Sequence, residues 1–166
     1  GFVVSDIALS QHGVISYDDL LKAGYDKSQI YRHFQKKHFT KLQRGVYFTQ
    51  LAQKTKMTEI MTALKYCSDK ALASHETALY LYGLIENIYD LELTVPRNTN
   101  FQMGGVTFVR IVDFEKISSC MIENVNTVSI ENALITTFSR FPFAKISEMI
   151  SNSIINKKTT VVKLRA

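Results

Sequence analysis

Apolar residues recur at helical spacing at the start of the chain, Val3 with Ile7 and Val4 with Ala8, so VVSDIALSQ predicts a short helix over 3–11 closed by Gly13. Ser16-Tyr17-Asp18-Asp19 then has the form of a capping box, in which a serine hydroxyl takes a free amide and Asp19 reaches back. It predicts a second helix to about Ala23, where Gly24 supplies a left-handed stop. A third helix, capped by Asp26 or Ser28, extends to about Lys37. At about 100° per residue, Ile30 and Phe34 share its inner side, and Ser28, Arg32, Gln35 and Lys36, with Gln29 at the margin, fall opposite. FTKLQRGVYFTQ alternates loosely and is broken at Arg44-Gly45, as two short strands with a tight reversal or bulge between them would be. Three helices and a hairpin predict a winged helix-turn-helix over about 1–52, whose third helix enters a DNA major groove while the hairpin lies along the backbone.

A mixed α/β region is expected over 57–166. Ile60, Met61, Leu64 and Cys67 or Ser68 mark a helix over 57–68, and SHETALYLYGL another, with Ser74 as cap and Gly83 as terminator. IYDLELTV alternates, with Tyr89, Leu91, Leu93 and Val95 on one side, Asp90, Glu92 and Thr94 on the other, and Pro96 at its end. The polar loop RNTNFQMGG leads into VTFVRIV, so residues 88–112 predict an antiparallel strand pair. SIENALITTF, capped by Ser129, and AKISEMISNSII, after Pro142, predict two more helices. The tail KKTTVVKLRA reads as a strand or as the start of a further element. The fold class is therefore α/β in the α+β sense, a winged helix-turn-helix followed by a mixed domain with an antiparallel pair.

Charge changes this picture more than composition does. The 166 residues, 46% apolar and 21% charged, describe a globular chain with room for two small domains. No uncharged run approaches the roughly 18–20 residues that span a bilayer, and the amino end has no basic region, so a cytoplasmic protein is expected. Cys67 and Cys120 are far apart and lack metal or redox spacing; two reduced thiols are expected. Residues 1–56 carry nine Lys or Arg against four acids, a net of +5, whereas residues 57–166 carry eleven of each sign. A positive balance segregated in the first third points to a polyanion partner.

Its densest part is YDKSQIYRHFQKKHFTKLQRGVYF, with Lys27, Arg32, Lys36, Lys37, Lys41 and Arg44 beside the single acid Asp26. Such cations neutralise phosphates and release counterions, while Ser28, Gln29, Arg32 or Gln35 can read base edges. The plainer readings are a solvated helix face, or a helix-turn-helix reused for protein contact. Lys41 and Arg44 are expected on the DNA backbone. Tyr31 is read first as packing and second as a phosphate contact through its hydroxyl. His33 and His38, five apart, are poorly spaced for a metal, since positions four apart share a helix face. Nuclease chemistry needs clustered carboxylates, and Asp90 with Glu92 or Asp113 with Glu115 alternate as solvated positions do. Gly104-Gly105 suits a turn rather than a phosphate cradle, and His75 at a helix start suits a cap or packing. No enzyme, cofactor or metal is expected.

The order of these segments, GVISYDDLLKAGYDKSQIYRHFQKKHFTKLQRGVYF, ASHETALYLYGL, LELTVPRN, GVTFVRI and SIENALITTF, resembles the AbiEi-type antitoxins of bacterial type IV toxin-antitoxin, or abortive-infection, systems. The resemblance spans roughly residues 3–140. It rests on Arg44-Gly45-Val46-Tyr47, on Ser74-His75-x-Thr77-Ala78-Leu79 ahead of Gly83-Leu84, and on Val95-Pro96. It implies an amino-terminal domain that represses its own operon at promoter inverted repeats, and a following domain that counteracts a nucleotidyltransferase-like toxin without a stable complex. The DNA-contacting positions that it implies are Lys27, Ser28, Gln29, Arg32, Lys36, Lys41 and Arg44. Relative to the family pattern, further carboxy-terminal helices are expected beyond those of this sequence. A stand-alone winged-helix regulator, or a protein-interaction module, is the alternative expectation.

Overall fold

The structure, a computed structural model, describes residues 2–155; the expected strand or further element in KKTTVVKLRA lies outside the described residues. The chain divides into two compact units, Gly1–Lys70 and Ala71–Ala166. By this division the first unit holds eleven Lys or Arg against six acids, a net of +5, and the second nine of each.

The first unit runs α1 (Phe2–Ser10), β1 (Val14–Ser16), α2 (Tyr17–Lys22), α3 (Lys27–Phe34), β2 (Phe39–Gln43), β3 (Val46–Thr49) and α4 (Lys56–Tyr66). Of the two apolar pairs read from helical spacing in α1, Val4 and Ala8 are buried, whereas Ile7 is half-buried and Val3 is exposed. Val4 and Ala8 of α1, Ile15 of β1, Leu20 of α2 and Ile30 of α3 form one buried cluster, with Phe34, Phe39 and Tyr47 packed against it. Each such Leu or Ile contributes about 1.5–3 kcal/mol. The β strands form an antiparallel sheet in the order β1-β3-β2, with Val14 opposite Phe48 and Lys41 opposite Tyr47. The chain reverses at Arg44-Gly45, as expected, with Gly45 at φ 71°, and a register shift between Lys41 and Gln43 is an addition to that expectation. The short strand β1 is an addition to the expected elements.

Two glycines here are required by geometry. Gly24, at φ 95° with open space around it, ends α2 in the left-handed region, so its role is conformational. Gly13, at φ 88°, leaves no room for a Cβ, which would lie 2.6 Å from the Phe48 ring and 2.7 Å from the Ala52 methyl. Helix α4, expected to open the second region, packs in the first unit. Its Lys65 Nζ donates to Asp19 Oδ1 at 2.9 Å, both side chains more than nine-tenths buried, and the Thr58 hydroxyl donates to the His12 carbonyl at 3.2 Å.

The second unit contains β4 (Leu72–Ala73), α5 (His75–Leu81), β5 (Leu91–Pro96), β6 (Val106–Ile111), β7 (Ser119–Ile122), β8 (Val125–Val128), α6 (Ile130–Thr137) and α7 (Phe143–Ile155). Its five-stranded mixed sheet has the order β6-β5-β4-β8-β7. Leu72, Leu79, Leu84, Val128, Leu134 and Met149 centre its core. The class expected from sequence, α/β with antiparallel pairing, is the class found: β4 with β5 and β7 with β8 are antiparallel.

The particular pair expected over residues 88–112 is a correction. Strands β5 and β6 run parallel, Leu91 opposite Val106 through Pro96 opposite Ile111. A loop of only nine residues, 97–105, returns the chain along the sheet, where a crossover of a dozen or more is usual. Arg110 supplies the reason: its guanidinium donates to the Thr99 and Phe101 carbonyls, each at 3.0 Å, and pins the returning loop. The expected polar side of β5 is a second correction. Glu92 and Thr94 are buried like Leu93 and Val95, because β5 has a strand on each side and α5 packed on it; Tyr89 lies before the strand and is exposed.

Candidate nucleic-acid interface

The helix-turn-helix is built from local signals. At the start of α2 the Ser16 hydroxyl accepts from the Asp19 amide at 3.1 Å, and Asp19 Oδ2 accepts from the Ser16 amide at 2.9 Å. At the start of α3, Asp26, not Ser28, is the cap: its Oδ1 accepts from the Gln29 amide and Gln29 Oε1 accepts from the Asp26 amide, both at 2.8 Å. Reciprocal caps thus satisfy free amides at both helix starts from within four residues. Helix α3 ends at Phe34, capped by Gln35, three residues short of the expected Lys37. Beyond it the chain turns into β2, drawn in by Phe34, whose ring stacks on Tyr47 at 3.9 Å and 3° and meets the edge of Phe39.

This frame presents the predicted residues outward. Lys27, Ser28, Arg32, Gln35 and Lys36 are exposed on or just after α3, and Lys41 and Arg44 are exposed on the hairpin. Gln29 is half-buried, with its carbonyl oxygen occupied by the cap. Among the described residues, none of Lys27, Arg32, Lys36, Lys37, Lys41 and Arg44 has a carboxylate within 4.0 Å. Six cations are therefore exposed without internal counter-charge among the described residues. Tyr31 is a correction: read as packing, it is 67% exposed, because it lies beyond the inner side defined by Ile30 and Phe34.

His33 and His38 both lie against aromatic rings. His33 packs edge-on against Tyr25, with ring centroids 5.2 Å apart, and His38 lies against Phe39. Burial, helped by the charges of Lys36 and Arg32, lowers His33 below the ordinary imidazole value. Among the described residues no group of three His, Cys, Asp or Glu is placed to hold a metal ion. Nor is any described helix long and apolar enough to cross a membrane.

Asp19 does more than sequence suggested. Besides the cap, it accepts from Gln11 Nε2 at 3.0 Å and pairs with Lys65. Burial pushes its carboxyl up, but hydrogen bonds from Gln11 and Lys65, the Lys65 charge and the Ser16 amide together outweigh it and leave the group below its ordinary value.

In the second unit, sequence missed an ion network. Glu92, read as solvated, accepts from Arg140 on both carboxylate oxygens, Nη2 to Oε2 at 3.0 Å, and Arg140 Nη1 also donates to Glu76 at 3.2 Å. His75, at φ 54°, places Nδ1 2.9 Å from Ser74 Oγ and 4.0 Å from Glu92. Ser74 occupies the cap position of α5, yet its hydroxyl makes no cap bond and instead accepts from Thr94 at 2.8 Å. Burial lowers the His75 pKa against the pull of the two glutamates. Among the described residues no buried side-chain polar atom lacks a partner, and these contacts tie α5, β5 and the turn Phe138–Arg140 together. The glutamate and the arginine lie 48 residues apart, so no local pattern marks the pair.

A helix-turn-helix followed by a hairpin, with its basic residues facing outward, is the arrangement of the first unit. Residues 3–48, which cover that arrangement, match the family described as "Transcriptional regulator, AbiEi antitoxin", in agreement with the resemblance read from the sequence. No curated protein matches the chain. Among solved structures, the crystal structure of the RV2827C protein from Mycobacterium tuberculosis is similar in fold, with a TM-score of 0.59 at 13% identity over 98% of this chain and 68% of that one.

Proposed function

We propose that the first unit binds duplex DNA, with α3 in the major groove and the β2–β3 hairpin along the phosphate backbone, and that the chain is a transcriptional repressor of its own operon and an antitoxin. The observation that carries this reading is the set of six unpaired cations on α3, just after it and on the hairpin, on a chain whose net charge of +5 resides in this unit. Cations without internal partners release counterions when they meet phosphates, and cations already paired would first have to break a contact. Arg32 at mid-helix reads a base edge, and Lys41 and Arg44 position the hairpin.

The match over residues 3–48 supports the regulator class for this same segment. The finer reading is a type IV antitoxin acting in phage defence, located in the cytoplasm, that binds inverted repeats in its promoter. It counteracts a nucleotidyltransferase-like toxin without a stable complex, and it carries out no catalysis of its own. A footprint of the full chain on the DNA upstream of its gene tests the repressor reading, which predicts protection of paired, inverted half-sites. Growth rescue on co-expression with a neighbouring nucleotidyltransferase-like gene tests the antitoxin reading. No rescue would remove the antitoxin while leaving the repressor in place.

A further inference from the structure

Within the DNA-binding reading, on which it rests, we infer that Tyr31 is a specificity-determining residue that packs its ring against the C5-methyl edge of a thymine in the major groove. The residues of α3 and its cap that share the outward side at spacings i, i+3, i+4 and i+7 are Ser28, Tyr31, Arg32 and Gln35, and all four are exposed. A groove-lying recognition helix reads bases at this spacing, as the homeodomain does. Gln29, the other polar side chain suggested for reading, lies outside this row and has its carbonyl oxygen held by the Asp26 amide.

The chemistry of the row then divides. Arg32 and Gln35 offer donors to purine edges, whereas Tyr31 is the one large apolar surface among the four. It is 67% exposed, and no ring contact or hydrogen bond with another described residue accounts for an aromatic at mid-helix. An apolar side chain on a groove-reading row meets the one apolar group that bases present there, the thymine methyl. Tyr31 lies within α3, whereas Lys36 and Lys37 follow its end at Phe34.

The test uses the full chain and duplexes that it selects from a random pool. Thymines of the selected site are replaced one at a time by deoxyuridine, which removes only the methyl. Wild type and Tyr31→Phe are expected to lose about fivefold in affinity at one or two positions per half-site. Tyr31→Ala is expected to bind the selected site about five- to tenfold more weakly than wild type, to bind random duplex unchanged and to ignore the deoxyuridine exchange. Equal loss by Tyr31→Ala on selected and random DNA, or a Tyr31→Phe variant as weak as Tyr31→Ala, would overturn the inference in favour of a phosphate contact through the hydroxyl. A wild-type chain that binds no duplex in a salt-dependent way would overturn the DNA reading itself. A variant that melts with wild type shows that any lost affinity is not lost folding.

Discussion

The two units treat charge in opposite ways. In the second, Glu92 is buried and held by both arms of Arg140, with Glu76 and His75 beside them, so charge is spent internally to tie β5 to a turn 48 residues away. In the first, one pair, Asp19 with Lys65, is buried in the same manner, but the six cations of α3 and the hairpin meet no carboxylate among the described residues. An internal pair is judged by what its removal does to folding. An unpaired cation is judged by what it does to a partner. On the proposed function, the same residue types serve stability in one place and recognition in the other, and burial together with pairing tells them apart.

The largest effect expected from breaking this contrast is at Asp19. Asp19→Ala removes a cap, a Gln11 contact and the counter-charge of a lysine that is 7% exposed. Leaving that lysine unpaired should cost about 3–5 kcal/mol in urea unfolding. Glu92→Gln should cost less, about 2–3 kcal/mol, because the Arg140 it releases already has a third of its side chain in water. A loss below 1 kcal/mol at either site would deny that the pair ties its unit together.

Next in size is recognition. Arg32→Ala should weaken binding to the selected site by about 1–3 kcal/mol more than binding to random duplex, and Lys41→Ala should weaken both alike by a smaller amount. Equal losses in both variants on both duplexes would remove α3 as the reading element. Neither change should move the melting temperature, since both side chains are exposed and unpaired.

The smallest effects sharpen the contrast through pH. The Asp19 carboxyl sits below its ordinary value of 3.8, so its contribution is fully present above that value and is lost as pH falls through the lower folded value. His75 is also lowered from 6.5, because burial favours the neutral ring. The unfolded chain then binds the extra proton, so the second unit should lose stability as pH falls below about 6.5. Following unfolding against pH in wild type, Asp19→Asn and His75→Gln checks both signs: the first variant should flatten the limb near pH 4 and the second the limb near pH 6.

Local signals carried most of the first unit. The Ser16 and Asp26 boxes, Gly24 and the Arg44-Gly45 turn each act within four residues, and the exposed positions of α3 followed from the spacing of Ile30 and Phe34. What sequence did not reveal depends on distant partners or on very short elements. Strand β1 has three residues and β4 two, too few for a period. The β7–β8 hairpin turns through Glu123 and Asn124, at φ 52° and 64°, without the glycine that usually marks such a turn. The parallel pairing of β5 and β6 depends on Arg110 holding Thr99 and Phe101, which a polar loop ending in two glycines does not announce. Alternation put Glu92 in solvent because it cannot register a second neighbouring strand. For Tyr31 packing is the first expectation because aromatics usually pack, and the structure leaves it 67% exposed.

The central claim is that the unpaired cations of the first unit are kept for phosphates. It is tested most directly by the affinity of the full chain for duplex DNA across salt concentration. Four to six phosphate contacts per domain predict a log–log slope of roughly −4 to −5, reduced by about 1 in Lys41→Ala. A flat response, with affinity indifferent to salt and to Lys41, would contradict it.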